Sequence, residues 1–148
     1  MSDIRLSFDN ASGQFDITLS GGDIVVDDGL ETAVIVSFFT DRHAGDGDAI
    51  PDGGDDLRGW WGDAFPDVPG DLDGSREWLL ERAKIVPETL RLLEDFSREA
   101  LAWMVRDGVA KSVMVEAGRL DTTSAGRQVT IKRPDGTATT YDYVWRRP

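Results

Sequence analysis

Four carboxylates, Asp63, Asp67, Glu77 and Glu81, lie close in the chain to three tryptophans, Trp60, Trp61 and Trp78. Glycan hydrolysis uses such residue types: one carboxyl in an apolar pocket acts as the acid, and a second acts as base or nucleophile. Indole rings can supply both the pocket and a platform for the sugar. The spacing does not by itself make the four converge, so a glycan hydrolase using a carboxylate pair is the alternative reading. A second group, Asp46, Asp48, Asp52, Asp55 and Asp56, offers the hard oxygen ligands that calcium takes. It departs from the EF-hand pattern, with Ile50 where a third ligand belongs and Leu57 where the closing glutamate belongs. His43 is the one histidine, and no serine elbow or second histidine accompanies it. It reads as a solvated surface residue. The chain has no cysteine, which excludes disulfides and thiolate metal sites. No cofactor and no metal is expected.

Residues 58–63 read Arg-Gly-Trp-Trp-Gly-Asp, within a segment of very different composition. From Asp41 to Asp73 there are ten aspartates, seven glycines and three prolines. Such a stretch cannot bury enough apolar surface to form its own core. A long acidic loop over 41–74, pinned by the tryptophan pair, is therefore expected. Neighbouring side chains on extended backbone point in opposite directions. One ring should anchor in the domain while the other stays at or near the surface, and aromatic and arginine side chains are the types in which interfaces concentrate binding energy.

Charge is unevenly divided. Residues 1–75 carry seventeen acids and three bases, and residues 76–148 carry eleven acids and thirteen bases, for a net charge of −12 overall. The front half lacks the clustered Lys and Arg that neutralising a phosphate backbone requires, so nucleic acid is not an expected partner. The asymmetry suits docking onto a basic protein or weak head-to-tail self-association.

The elements that must position these residues follow from periodicity. Ile4, Leu6 and Phe8, then Phe15, Ile17 and Leu19, alternate with polar residues around Asp9-Asn10-Ala11-Ser12-Gly13, which predicts a hairpin. A short strand over 23–27 follows. Leu30 to Thr40 is β-branched enough for a strand, yet Leu30, Ala33, Val34, Ser37 and Phe38 fall at helical spacing. Asp27, Asp28 and Glu31 would suit a helix N-terminus, and a helix is expected. Ser75 should cap a helix over residues 76–84, and Pro87 should open a longer one ending at Arg106 or Asp107, with Gly108 beyond it. Its apolar stripe is Leu90, Leu93, Phe96 or Ser97, Ala100 and Met104, widened by Leu101, with Glu94 and Arg98 paired on the outer face. Trp78 and Trp103 belong to the core, and Trp145 to the core or its rim. Segments 111–116, 128–133 and 137–145 predict a three-stranded antiparallel meander. The expected fold is α+β in a single domain over 1–148. No basic-then-apolar leader and no membrane-length apolar run is visible, so a soluble chain with no membrane association is expected.

Several segments, in order, resemble the Mu-like bacteriophage baseplate protein family, the products of Mu gene forty-six and its prophage relatives. They are Leu30-Glu-Thr-Ala-Val34 with Phe39-Thr-Asp-Arg42, Asp56-Leu-Arg-Gly-Trp-Trp-Gly-Asp63, Gly74-Ser75 with Trp78-Leu-Leu, and Ala100-Leu-Ala-Trp103 with Asp107-Gly-Val-Ala110. Ile85-Val86-Pro87 departs from the expected pattern, where a polar cap such as threonine would precede the second helix. The resemblance implies a structural wedge subunit of a contractile-tail baseplate, located in the virion tail and in the host cytoplasm during assembly. Its partners would be a larger wedge subunit and the hub or spike. Arg58, Trp60, Trp61 and Asp63 carry over as the family's hallmark positions and as the expected partner-binding residues.

Overall fold

The computed structural model describes residues 3–27 and 29–147. The chain opens with six short strands, β1 (Asp3–Ile4), β2 (Leu6–Asp9), β3 (Gln14–Ile17), β4 (Leu19–Ser20), β5 (Asp23–Ile24) and β6 (Val26–Asp27). They pair antiparallel as β1–β6, β2–β3 and β4–β5. Where pairing switches partner, three backbone bonds form a closed triangle: Arg5 N–H to the Val25 carbonyl, Val25 N–H to Thr18, and Thr18 N–H to Arg5, at 2.9, 2.9 and 3.0 Å. The expected hairpin is present as β2–β3, while the strand expected over 23–27 is divided at Val25 into β5 and β6, which pair with β4 and β1.

Leu30–Phe39 forms helix α1. Its dual periodicity has a physical origin: the segment is apolar almost all round, with Glu31 its only charge, so composition alone does not show a helical stripe. Leu30, Val34, Ile35 and Phe38 are buried. Gly29, at φ 78°, precedes the first turn and no side chain caps it. Asp28, one of the acids expected there, lies outside the described residues.

Between α1 and residue 76 the only helical element is a 3-10 turn, Trp61–Ala64. Ser75 caps the next segment as expected, its Oγ accepting the Glu77 N–H at 3.2 Å. The segment itself, Arg76–Leu80, is a 3-10 turn and not the expected helix to residue 84. Its side chains are pulled apart, with Arg76 held by Asp48 and Glu99, Glu77 by Arg127, and Trp78 by the Arg42 carbonyl. Pro87 also holds Val86 extended, so too few residues remain for a stable α-helix.

Helix α2 (Pro87–Arg106) has its proline in the first turn, and Gly108 follows its end at φ 77°. Val86 caps it without a side-chain bond, and the buried Thr89 hydroxyl instead donates to the Lys84 carbonyl at 2.5 Å. Leu93, Phe96, Ser97, Ala100, Leu101 and Met104 form its buried stripe. They pack on the sheet of β7 (Ser112–Arg119), β8 (Ser124–Lys132) and β9 (Ala138–Arg146), a meander in the order β7-β8-β9. One core cluster joins α1, the second half of α2 and the sheet through Val115, Val129, Ile131 and Tyr143. A second gathers Leu80, Ile85, Leu93, Phe96, Ala125 and Trp145. The fold class is thus α+β, with N-terminal hairpins, two helices and a three-stranded antiparallel sheet.

Side chains cap both edges of that sheet. On β7, Glu94 accepts the Ala117 N–H at 2.9 Å and Arg98 donates to the Val115 carbonyl at 3.1 Å. On β9, Asn10 donates to the Asp142 carbonyl and accepts the Val144 N–H, at 3.0 and 2.9 Å. Each edge loses open backbone groups that could otherwise pair with a foreign strand.

Candidate partner-binding site

The ends of the acidic segment are tied together. The Ser75 N–H donates to the Thr40 carbonyl at 2.8 Å, and the Arg42 N–H donates to the Ser75 carbonyl at 3.0 Å. The Arg42 guanidinium adds bonds to the Leu72 and Gly74 carbonyls. Gly74, at φ 90°, sits where a Cβ would stand 2.2 Å from the Thr40 oxygen. Further along, the segment doubles back, with the Ala44 N–H on the Leu57 carbonyl and Gly59 against the His43 backbone. His43 itself is exposed.

Arg58, the first hallmark residue, is committed inside the chain. Its guanidinium meets Asp41 and Glu81, each at 2.9 Å, and stacks over the Trp78 ring at 4.5 Å. It therefore fastens the loop onto the 3-10 turn at 76–80. Trp60 and Trp61 do not divide between core and surface. Trp61 begins a 3-10 turn, so the extended backbone that would send the rings opposite ways ends there. The rings instead contact each other, with centroids 5.4 Å apart, at relative exposures of 43% and 79%. The Trp60 ring also lies over Gly62, where an added Cβ would come within 2.1 Å of it. Phe65, 85% exposed, extends the apolar surface.

Asp63 closes the motif by accepting the Asp73 N–H on Oδ1 at 3.2 Å. Its Oδ2 is buried and has no hydrogen-bond partner among the described residues. Although Asp73 is exposed, partial desolvation by the surrounding loop raises its carboxyl above the ordinary carboxylate range, and repulsion from Asp63 and Asp71 raises it further, against Arg42 and Arg106. A carboxyl raised in the folded state contributes stability below its unfolded pKa and loses it as pH rises through the folded value. Asp73→Asn is therefore expected to melt higher than the parent at pH 7, with the two converging near about pH 4. An unchanged or lower melting temperature at pH 7 would show that repulsion at this site is negligible.

Beside the motif runs a groove of about 470 Å³. Gly29, Thr32, Ala33, Val36, Ser37 and Thr40 form its floor, and these positions share one face of α1. Trp103 and Trp60 form its apolar walls, with Asp73 and Gly74 completing it. Trp103 is only partly buried and donates its Nε1–H to Ser37 Oγ at 3.0 Å. Trp78 and Trp145 are buried, as expected. The groove was not legible from motifs, although one signal pointed to it. A helix with so little polar surface should be covered on every side, and Val36 is instead 50% exposed.

The carboxylates considered for hydrolysis fall into two separate clefts. Glu77 and Glu81 line one with Trp78 and Asp41, and Asp63 and Asp67 line another with Trp60. Burial raises the Glu77 carboxyl while the Arg127 guanidinium pulls it down, and the two form a buried ion pair. Of the aspartates considered for calcium, Asp48 pairs with Arg76 at 2.9 Å, while Asp52 and Asp56 accept nearby backbone N–H groups. Among the described residues no three carboxylate or histidine side chains are placed to hold a metal ion. No helix is long and apolar enough to cross a membrane among them.

Residues 30–138, from the start of α1 to the start of β9, match the family described as phage protein GP46. The chain is similar to "Baseplate protein gp46" of Escherichia phage Mu, with 40% identity over 143 residues covering 97% of this chain and 95% of that protein. It is also similar to "Mu-like prophage FluMu protein gp46" of Haemophilus influenzae, with 38% identity over 136 residues covering 92% and 90% of the two chains. By family match and by full-length similarity, this chain belongs to the Mu gp46 family of phage and prophage proteins.

Proposed function

We propose that this chain is a structural subunit of a contractile phage or prophage tail baseplate, and that it joins neighbouring baseplate proteins through the face carrying Trp60 and Trp61. One observation carries the reading. A chain of this family exposes Trp60 and Trp61 in contact, with the exposed Phe65 lining one cleft with Trp60, on a loop that Arg58 and Gly74 tie to the body of the protein. Grouped exposed aromatics on an ordered support are the usual makings of an interface centre. On this reading Trp60, Trp61 and Asp63 meet the partner, and Arg58 positions them. The larger wedge subunit and the hub or spike are the candidate neighbours, in the virion tail and beforehand in the host cytoplasm. The chain acts as one domain with the acidic loop inserted in it, and it works by binding, not by catalysis.

The test replaces Trp60 and Trp61 with alanine, singly and together. Neither ring is in the core, so each variant should keep its far-ultraviolet spectrum and melt within a few degrees of the parent. The yield of infectious particles should fall about tenfold or more, the scale of losing an interface hot spot. Unchanged particle yield from the folded double variant would refute the contact role of the loop.

A further inference from the structure

Three features of the groove beside Trp60 indicate its occupant. Its floor on α1 is lined by small side chains, so there is room for a bulky apolar group between Trp60 and Trp103. Its rim is acidic: Asp73 lies on it, and Asp63, bonded to Asp73, keeps a buried carboxylate oxygen without a partner. The surrounding charge is only partly compensated: Arg106 pairs with Asp71, and Arg42 and Arg106 act on Asp73 without pairing with it. The three bases of residues 1–75 are spent on internal carboxylates, Arg5 on Glu31, Arg42 on Glu99 and Arg58 on Asp41 and Glu81. Asp63, Asp67 and Asp73 form no ion pair among the described residues.

We propose that this groove seats a segment of a neighbouring tail protein in which a bulky apolar side chain is flanked by Lys or Arg. The apolar group enters over Ala33 and Val36, between the two indoles. The flanking cation pairs with the exposed Asp73 carboxylate at the rim, beside Asp63. A second copy of this chain is a poor occupant, because each copy brings a net charge of −12. The proposal rests on the reading of the chain as a baseplate subunit and specifies what one of its contacts recognises.

The experiment places a diazirine amino acid of leucine size at position 36 and assembles tails in cells that express the full set of tail genes. Light should join position 36 to one other tail protein, and the linked peptide should carry Lys or Arg within a few residues of Leu, Ile, Met or an aromatic residue. Val36→Arg, at a half-exposed position, should leave the isolated protein's melting temperature unchanged and cut incorporation into tails about tenfold or more. Tails that contain the chain but yield no crosslink from position 36 would overturn the groove proposal alone. So would a crosslink to a second copy or to a segment without a base. Tails that lack the chain altogether would overturn the baseplate reading, and the groove proposal with it.

Discussion

Glu77→Gln is expected to lower the free energy of unfolding by about 3–5 kcal/mol, the usual cost of leaving one member of a buried ion pair without the other. The side chain left behind is Arg127, which is 1% exposed on the central strand β8. Its Nη1 donates to Glu77 and to Ser97 Oγ, and its guanidinium carbon lies 3.9 Å from the centroid of the Phe38 ring. Nε and Nη2 are buried with no hydrogen-bond partner among the described residues. Glutamine would keep the shape and remove the charge that makes the buried guanidinium tolerable. Since a domain of this size is stable by only about 5–15 kcal/mol, such a loss is a large share of the total. Glu77→Gln combined with Arg127→Met should recover much of it, because no buried charge is then left unpaired. Urea denaturation of the parent, both single variants and the double variant measures the coupling directly. A Glu77→Gln cost below about 1 kcal/mol, within the range of an exposed pair, would mean that Glu77 does not neutralise Arg127 in the fold.

Gly74→Ala is the second large effect, at about 2–6 kcal/mol. Two costs combine. An alanine held near φ 90° is strained by about 1–3 kcal/mol, and overpacking against atoms that cannot yield adds about 1–3 kcal/mol. The atoms in the way are backbone: the Thr40 oxygen at 2.2 Å and its carbonyl carbon at 2.8 Å. Moving them breaks the bond from the Ser75 N–H to the Thr40 carbonyl, which closes the base of the acidic loop. Hydrogen exchange at the Arg42 and Ser75 amides should therefore lose protection together with the fall in melting temperature. Gly22→Ala is the control. Gly22 also has positive φ, at 82°, but nothing stands within 4 Å of the added carbon. If Gly74→Ala were no more harmful than Gly22→Ala, the close approach at the loop base would not contribute to stability.

Gly74 and Arg58 bear on the proposed contact through what they hold. Gly74 fixes the base of the loop, and Arg58 fastens its middle to Trp78 and Glu81, so the exposed indoles are presented from an ordered support. An ordered support lowers the entropy cost of binding, which an aromatic patch on a free loop would have to meet on contact. The hallmark residues thus divide by role. Arg58 and Gly62 arrange the motif, Trp60 and Trp61 give it apolar surface, and Asp63 joins it to the far end of the loop through Asp73.

Local features were legible in the sequence wherever one segment's own chemistry decides the outcome. Pro87 and Gly108 mark the ends of α2, the 3.6-residue stripe from Leu93 to Met104 gives its buried face, and the alternation around Val129 and Ile131 gives the central strand. Ser75 caps its segment because the serine hydroxyl reaches the Glu77 N–H within the same turn. The composition of residues 41–73 excludes a second core there, and the structure has a loop. The tryptophan pair shows where such reasoning stops. The expected split of the rings assumed continued extended backbone, and that was decided by the 3-10 turn starting at Trp61 and by the space over Gly62.

By itself, then, the sequence determined the α+β fold class, the family and the acidic loop with its Arg-Gly-Trp-Trp-Gly-Asp segment. Tertiary structure alone decided what those residues face. Arg127 meets Glu77 across fifty positions, Asn10 reaches β9 across more than one hundred and thirty, and Trp103 comes to stand across a groove from Trp60. The physical reason is that propensity, capping and periodicity act over one or two turns of chain. Pairing of buried charges and the shape of a groove depend on which segments the shared apolar core brings together.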